Sequence, residues 1–312
     1  MKVLIFTEGG KTTGFGHITR CIALYQAFEK SGIYPNLIVN GDDSIKDLLK
    51  NKKHIIFNWL KEEKKRFNFV KDSNIIIIDS YLADIKCYKK ISSLAKVSVY
   101  IDDNKRLNYP KGVVINGNIY AKRLNYPKKK SLIYLLGAQY AFLRKEFWKV
   151  PKKKINKEVN NILITFGGAD YSDMIYKIIN CLKNKFDFNF YIVDPKKKRI
   201  DVKEMLNLML KTDICIAGGG QTLYELARIG VPTIAVAVGK DQLRNVKGWQ
   251  KKGFIEYAGW WQNVNDVKIK NGLKRLLPQS IRLKRGRLGR VIIDGKGATR
   301  IISKLIRCYE KN

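Results

Sequence analysis

The chain has 312 residues, a 45% hydrophobic share and no low-complexity tract, so it is long enough for two ordinary globular cores and has no composition typical of a disordered arm. Its 61 Lys and Arg against 27 Asp and Glu leave a formal charge of +34, which creates a field favouring anionic ligands. The five cysteines (Cys21, Cys87, Cys181, Cys215, Cys308) are scattered without a C-x-x-C pair, which argues against a disulfide framework or a zinc site and fits a reducing, cytoplasmic setting.

The chain runs from Lys2 straight into Val3-Leu4-Ile5-Phe6 and a glycine loop, a pattern of a first strand rather than of a signal peptide. No apolar run approaches the length of a membrane span. Short buried-type strands are expected at 2–7, 36–40, 75–79, 97–102 and 113–116, with a crossover helix over 18–30 ending near Gly32. The scheme repeats with strands at 161–166, 188–193, 213–217 and 233–238. Alternating strands and helices predict an α/β protein with parallel sheets. Val150-Pro151-Lys152-Lys153-Lys154 marks a linker near 149–158, giving a first domain over 1–150 and a second over 151–312. The helical pattern at 298–309 is a candidate to pack back on the first domain.

The lysine runs 128–130, 152–154 and 196–198 lie beside prolines and lack the interleaved aromatic platforms of a single-strand binder. They read as solvated surface rather than as a nucleic-acid site, although the charge alone is compatible with peripheral attraction to an anionic membrane. Nothing in the residues speaks to oligomeric state.

Three glycine loops stand where strands give way to helices, the place where open α/β sheets bind ligands and helix N-termini offer N–H groups to anions. The first is Gly14-Phe15-Gly16-His17-Ile18-Thr19-Arg20. His17 is one of two histidines and suits proton transfer near neutral pH, whereas His54 abuts a lysine and opens an apolar run, a structural setting. The plainer alternative makes Gly14 and Gly16 a tight turn and His17 a helix cap. Arg20 shares the His17 face at i,i+3 and serves either a ligand or a salt bridge.

The second loop, Ala217-Gly218-Gly219-Gly220-Gln221-Thr222-Leu223-Tyr224-Glu225, can cradle a diphosphate. Thr222 and Glu225 also match the S/T-x-x-E capping box, so Glu225 is either a cap or an acceptor for ribose hydroxyls. The third, Phe166-Gly167-Gly168-Ala169-Asp170, closes the first strand of the second half.

In order and spacing, GFGHITR, IDSYLAD, YIDDNKR, YLLGAQYAFLRKEF, ITFGGAD, DICIAGGGQTLYELARIGVP, VGKDQLRNV and DGKGATRI resemble the nucleotide-sugar hydrolases of the pseudaminic-acid pathway and related polysaccharide-biosynthesis proteins, across nearly the whole chain. The resemblance implies a GT-B fold, two Rossmann-like parallel-sheet domains facing across a cleft. It also implies hydrolysis at the anomeric carbon of a UDP-linked sugar, with inversion and release of UDP, without metal or cofactor. The family's catalytic histidine falls on His17 and its cleft tyrosine on Tyr81, with Gly14, Gly16 and Arg20 lining the sugar side. The diphosphate loop falls on Gly219, Gly220, Gln221 and Thr222, the ribose-binding glutamate on Glu225, and Gly167 and Gly168 join the nucleotide side. Two positions depart from the family pattern: Ser80 stands where many relatives carry histidine, and Gln221 where a small hydroxyl residue is frequent. A GT-B glycosyltransferase shares these loops and differs in its acceptor, and a basic binding protein is supported by charge alone.

Overall fold

The structure is a computed structural model that describes residues 1–167, 171–183, 186–194 and 200–311. The chain divides into two compact units, one built from residues 1–145 and 296–312 and the other from residues 146–295.

Unit 1 opens with β1 (Val3–Gly9), α1 (Gly16–Glu29), β2 (Asn36–Gly41), α2 (Lys46–Leu49) and β3 (His54–Ile56). It continues with α3 (Glu63–Val70), β4 (Ile75–Asp79), α4 (Ile85–Ser92), β5 (Val97–Ile101), β6 (Gly112–Asn116) and β7 (Leu132–Leu136). The seven strands are all parallel, in the order β3-β2-β1-β4-β5-β6-β7. Consecutive β-branched residues, which suit a pleated surface covered on both faces, explain β4: Ile75, Ile76, Ile77 and Ile78 are all fully buried. The chain lays β2 and β3 to one side of β1 and returns to place β4 on the other, so β1 and β4 flank a topological switch point.

Unit 2 contains β8 (Asn161–Thr165), α5 (Ser172–Lys183), β9 (Asn189–Val193), α6 (Val202–Lys211), β10 (Ile214–Gly218) and α7 (Thr222–Ile229). It is completed by β11 (Thr233–Ala237), α8 (Leu243–Lys252), β12 (Ile255–Trp260), α9 (Asp266–Leu276) and α10 (Gln279–Ile292). Its five parallel strands run β12-β11-β10-β8-β9, with the switch point between β8 and β10. The core between sheet and helices is aliphatic, from Ile162, Ile164, Ile214, Ile216, Ile234 and Val236 against Ile178, Leu182, Leu273 and Leu276. The last helix, α11 (Gly297–Glu310), belongs to unit 1 and packs on α1.

The stretch at 149–158 is held on unit 2. The buried Arg282 guanidinium donates to the carbonyls of Asn156 (3.0 Å) and Lys157 (2.8 Å), and Lys153 Nζ donates to Leu210 O (2.5 Å). Burial, only partly offset by Asp213, pushes the Lys153 ammonium down to about 8. The lysines of this segment are therefore not all solvated.

Three strands escape the sequence reading: β3, β7 and β12. Each lies at a sheet edge, where only part of the strand is covered. His54 is half-buried in β3 with Nδ1 2.8 Å from Lys52 O, the structural setting expected for it. Among the described residues no helix is long and apolar enough to cross a membrane.

Candidate active site

His17 stands in the first turn of α1, after the loop that leaves β1. Gly10 and Gly14 pinch this loop closed by exchanging backbone hydrogen bonds of 3.1 and 2.8 Å, and both have positive φ (153° and 81°) that side-chain-bearing residues rarely adopt. A Cβ at Gly14 or Gly16 would meet nothing within 4 Å, so the loop borders open space. The helix begins at Gly16 with Phe15 as its N-cap and no side-chain cap, which removes the reading of His17 as a helix cap.

The side chain of His17 instead points at the end of β4, where Nδ1 lies 2.7 Å from Asp79 Oδ1. Nδ1 also lies 3.0 Å from Arg20 Nη2; the carboxylate as acceptor favours the Nδ1–H tautomer, in which Nε2, without a partner among the described residues, carries no proton. Arg20, one turn further along α1, places Nε 2.6 Å from Asp79 Oδ2 and Nη2 2.5 Å from Oδ1, and gives Nη1 to Asp103 Oδ2 at 2.6 Å. The shared helix face read from the i,i+3 spacing is real, and Asp79 is what both residues share. Arg20 acts as a clamp between two carboxylates within unit 1, and its guanidinium is spent there rather than held open for a ligand.

Burial alone would raise the Asp79 carboxyl, but Arg20 and then His17 outweigh it and hold it well below the usual carboxylate range. Asp103 follows the same rule: burial is outweighed by Arg20 and by the Tyr81 hydroxyl, which donates to Oδ2 at 2.5 Å. The phenol of Tyr81 is pushed up by burial and by Asp103, so it stays protonated. Its ring stands edge-on to His17 with centroids 4.6 Å apart, and 40% of the residue remains exposed. Tyr81 is thus, among the described residues, the exposed aromatic side chain that packs against the histidine.

Glu8, fully buried at the end of β1, supports this arrangement. It accepts from Ser80 Oγ (2.5 Å) and from the Tyr81 backbone N–H (2.7 Å). Asn118 Nδ2 completes the shell by donating to Asp103 Oδ1 at 2.7 Å. Ser80, the departure from the family pattern, therefore links Glu8 to the loop after β4. Glu8, Asp79, Asp103 and Asn118 were missed by the sequence reading. A usable signal exists for the acids: Glu8 and Asp79 close the strands flanking the switch point, and Asp103 follows β5, places where an acidic residue ending a buried run needs a reason.

In unit 2 the second glycine loop follows β10 and leads into α7. Gly219 has a packing reason, because any Cβ there would overlap Val246 Cγ1. Its N–H donates to Gln242 Oε1 (2.8 Å) and its carbonyl accepts from Asn245 Nδ2 (2.6 Å), so its amide is already engaged. Around Gly220 there is more room, the nearest atom to a Cβ being Gln242 Nε2 at 3.6 Å. The helix starts at Thr222 with Gln221 as N-cap and no side-chain cap. Glu225 is thus one position too far along for the capping box with Thr222, which is not formed, yet it is buried. Gly167, after β8, has φ +82° and open space around its Cβ position. Gly168 lies outside the described residues. Gly167 and Gly219 follow the two strands at the switch point of this sheet.

Two α/β units, each with a glycine loop at its switch point, define the fold class: GT-B. Solved structures bear this out at the level of fold. MurG of Acinetobacter baumannii superposes with a TM-score of 0.70 at 12% identity, covering 98% of this chain and 100% of that one. A putative UDP-N-acetylglucosamine 2-epimerase from Listeria monocytogenes gives 0.66 at 11% identity over 100% and 98%. No family model matches the chain.

By sequence, the chain is similar to proteins named for nucleotide-sugar and polysaccharide chemistry. It is 26% identical to the spore coat polysaccharide biosynthesis protein SpsG of Bacillus subtilis, over 100% of this chain and 99% of that protein. It is 26% identical to the UDP-2,4-diacetamido-2,4,6-trideoxy-beta-L-altropyranose hydrolase of Campylobacter jejuni, over 82% and 99%. The match to the uncharacterized protein MJ1062 of Methanocaldococcus jannaschii, at 28% identity over 76% of this chain, spans 55% of that protein's length.

Proposed function

We propose that the chain hydrolyses a UDP-linked di-N-acetylated trideoxy sugar, of the kind named for its C. jejuni relative, by attack of water at the anomeric carbon with inversion. One observation carries the reading: His17 Nδ1 lies 2.7 Å from the buried Asp79 carboxylate, a pairing that favours the Nδ1–H tautomer with Nε2 as the base, beside a glycine loop that borders free space.

His17 Nε2 takes a proton from water as the water oxygen bonds to C1. The bond from C1 to the diphosphate oxygen breaks, and its electron pair leaves with UDP. Asp79 and Asp103 carry two negative charges against the one positive charge of Arg20, so the imidazolium formed in this step restores local neutrality. Tyr81 packs on the imidazole and limits its rotation. Unit 2 takes the nucleoside diphosphate, with Gly167, Gly220, Gln221, Thr222 and the N-terminus of α7 on the phosphates and Glu225 on the ribose. UDP is a good leaving group, so the reading assigns no metal or cofactor to its departure, and it places the enzyme in the cytoplasm, where nucleotide sugars are made.

The test is product analysis in 18O-labelled water with the UDP-linked sugar and no added acceptor. Label in the free sugar and none in UDP is the expected result, with inversion seen by NMR. Label in the UDP phosphate would overturn attack at carbon, and turnover only with an added sugar acceptor would make the protein a transferase.

A further inference from the structure

Helix α10 carries a feature that nucleotide-sugar hydrolysis does not use. Its inner face is made for close packing: a Cβ at Gly286 would lie 2.7 Å from Gly230 O, and one at Gly289 2.7 Å from Ala227 O. Its outer face exposes Leu283 and Val291, the latter 79% exposed, on the same ridge as Arg287 and beside Lys284.

No acidic residue occurs in α10, and its basic side chains divide into two groups. Arg282, Arg285 and Arg290 are turned inward to carbonyls and to Glu256. Lys284 and Arg287 are exposed and make no ion pair or side-chain hydrogen bond among the described residues. Leu288 extends the groove lined by Leu283, Lys284 and Arg287 toward the end of α8, where a Cβ at Gly253 would lie 3.9 Å from Leu288 Cδ2. The two residues before Gly253 are the exposed Lys251 and Lys252.

We infer that this face of unit 2 docks on an anionic phospholipid surface. Exposed aliphatic side chains projecting from an acid-free basic ridge match the boundary between phosphate headgroups and acyl chains: Leu283 and Val291 enter the apolar layer, while the lysine and arginine stems lie along it and keep their charges among the phosphates. A single-strand nucleic-acid face would offer aromatic platforms, and none stands in the groove, while duplex phosphates would leave the exposed Val291 without a contact to make. A protein partner with an acidic surface meets the charge but leaves Val291 no reason for its exposure. The overall charge of +34 would attract any polyanion from every side, so the claim concerns this face and not the total.

The experiment is sedimentation of the whole chain with vesicles of phosphatidylglycerol and phosphatidylcholine in equal parts, at low and physiological salt. The chain is expected to bind these vesicles and not phosphatidylcholine alone, with affinity falling as salt rises. Lys284→Gln with Arg287→Gln should weaken binding about twenty- to thirtyfold, because each basic side chain near such a surface contributes about fivefold. Val291→Glu should weaken it at least about tenfold. A control removes equal charge from exposed Lys86 and Lys89 of α4 at the same i,i+3 spacing, and should change binding less than about twofold. Equal losses in both charge pairs, or full binding by Val291→Glu, would reduce the effect to overall charge and overturn the inference. Absence of vesicle binding overturns it too, as does competition by duplex DNA that is lost with the α10 variants. All these side chains lie on the surface, so thermal unfolding and turnover of nucleotide sugar should stay unchanged in the variants, which separates this result from the catalytic reading.

Discussion

At the scale of the residue, His17 and Asp79 define a pair whose two members should fail differently. His17→Asn keeps a polar side chain but removes the base, so turnover should fall by about two to four orders of magnitude while UDP affinity is retained. Asp79→Asn also removes the negative charge that Arg20 pairs with and puts an N–H in place of one accepting oxygen, leaving a buried guanidinium with Asp103 as its counter-charge. Denaturant titration should therefore show a loss of about 3–5 kcal/mol, which His17→Asn should not show. The sequence could point to His17 because it is rare and stands after a glycine loop. It could not pair it with Asp79, since two positions 62 apart in the sequence are brought together only by the pairing of β1 with β4.

The elements set the second kind of expectation. Because α7 starts at Thr222, Glu225 does not close a capping box, and its burial has no explanation in that motif. Glu225→Gln should weaken UDP binding about tenfold, read as a reduced thermal shift by UDP in the presence of a chelator, while leaving the unliganded unfolding temperature within about a degree. An unliganded protein destabilised as much as its UDP complex would return Glu225 to a structural role. The segment before β8 supports a separate expectation. Burial holds Lys153 at about 8 against an ordinary value of 10.5. The unfolded chain therefore binds the proton over a pH range where the folded chain has lost it, and stability gains from this group as pH rises between those two values. Lys153→Met should flatten that rise in a thermal melt series.

For the molecule as a whole, the two depressed carboxylates predict an acid limit to stability. Asp79 and Asp103 lie below the ordinary aspartate value of 3.8 in the folded state, so on acidification the unfolded chain takes up protons first. Their stabilisation is complete above the ordinary range and is lost as pH falls through and below it. The melting temperature of unit 1 should drop increasingly steeply as pH falls below about 4, and Asp103→Asn should show a shallower drop. A variant as steep as the parent would remove Asp103 from the cause.

Central strands were legible because residues covered on both faces must be apolar without interruption: β1, β2, β4, β8, β10 and β11 lie close to where hydrophobic runs place them. The glycine loops were legible for a related reason, since a chain that turns sharply from strand to helix needs glycine at positive φ, as at Gly14 and Gly167. Edge strands β3, β7 and β12 were not: β3 is only three residues long and Glu256 and Gly259 interrupt β12, whereas β7 is an apolar run, Leu132–Leu136, that the sequence reading did not take as a strand. Residue order by itself therefore determined the α/β class, the strand-helix alternation and the loops able to meet a ligand. Only the tertiary structure decided what His17 and Arg20 do: lateral hydrogen bonding among β1, β4 and β5 carries Asp79 and Asp103 to α1, and burial makes those charges depend on one another.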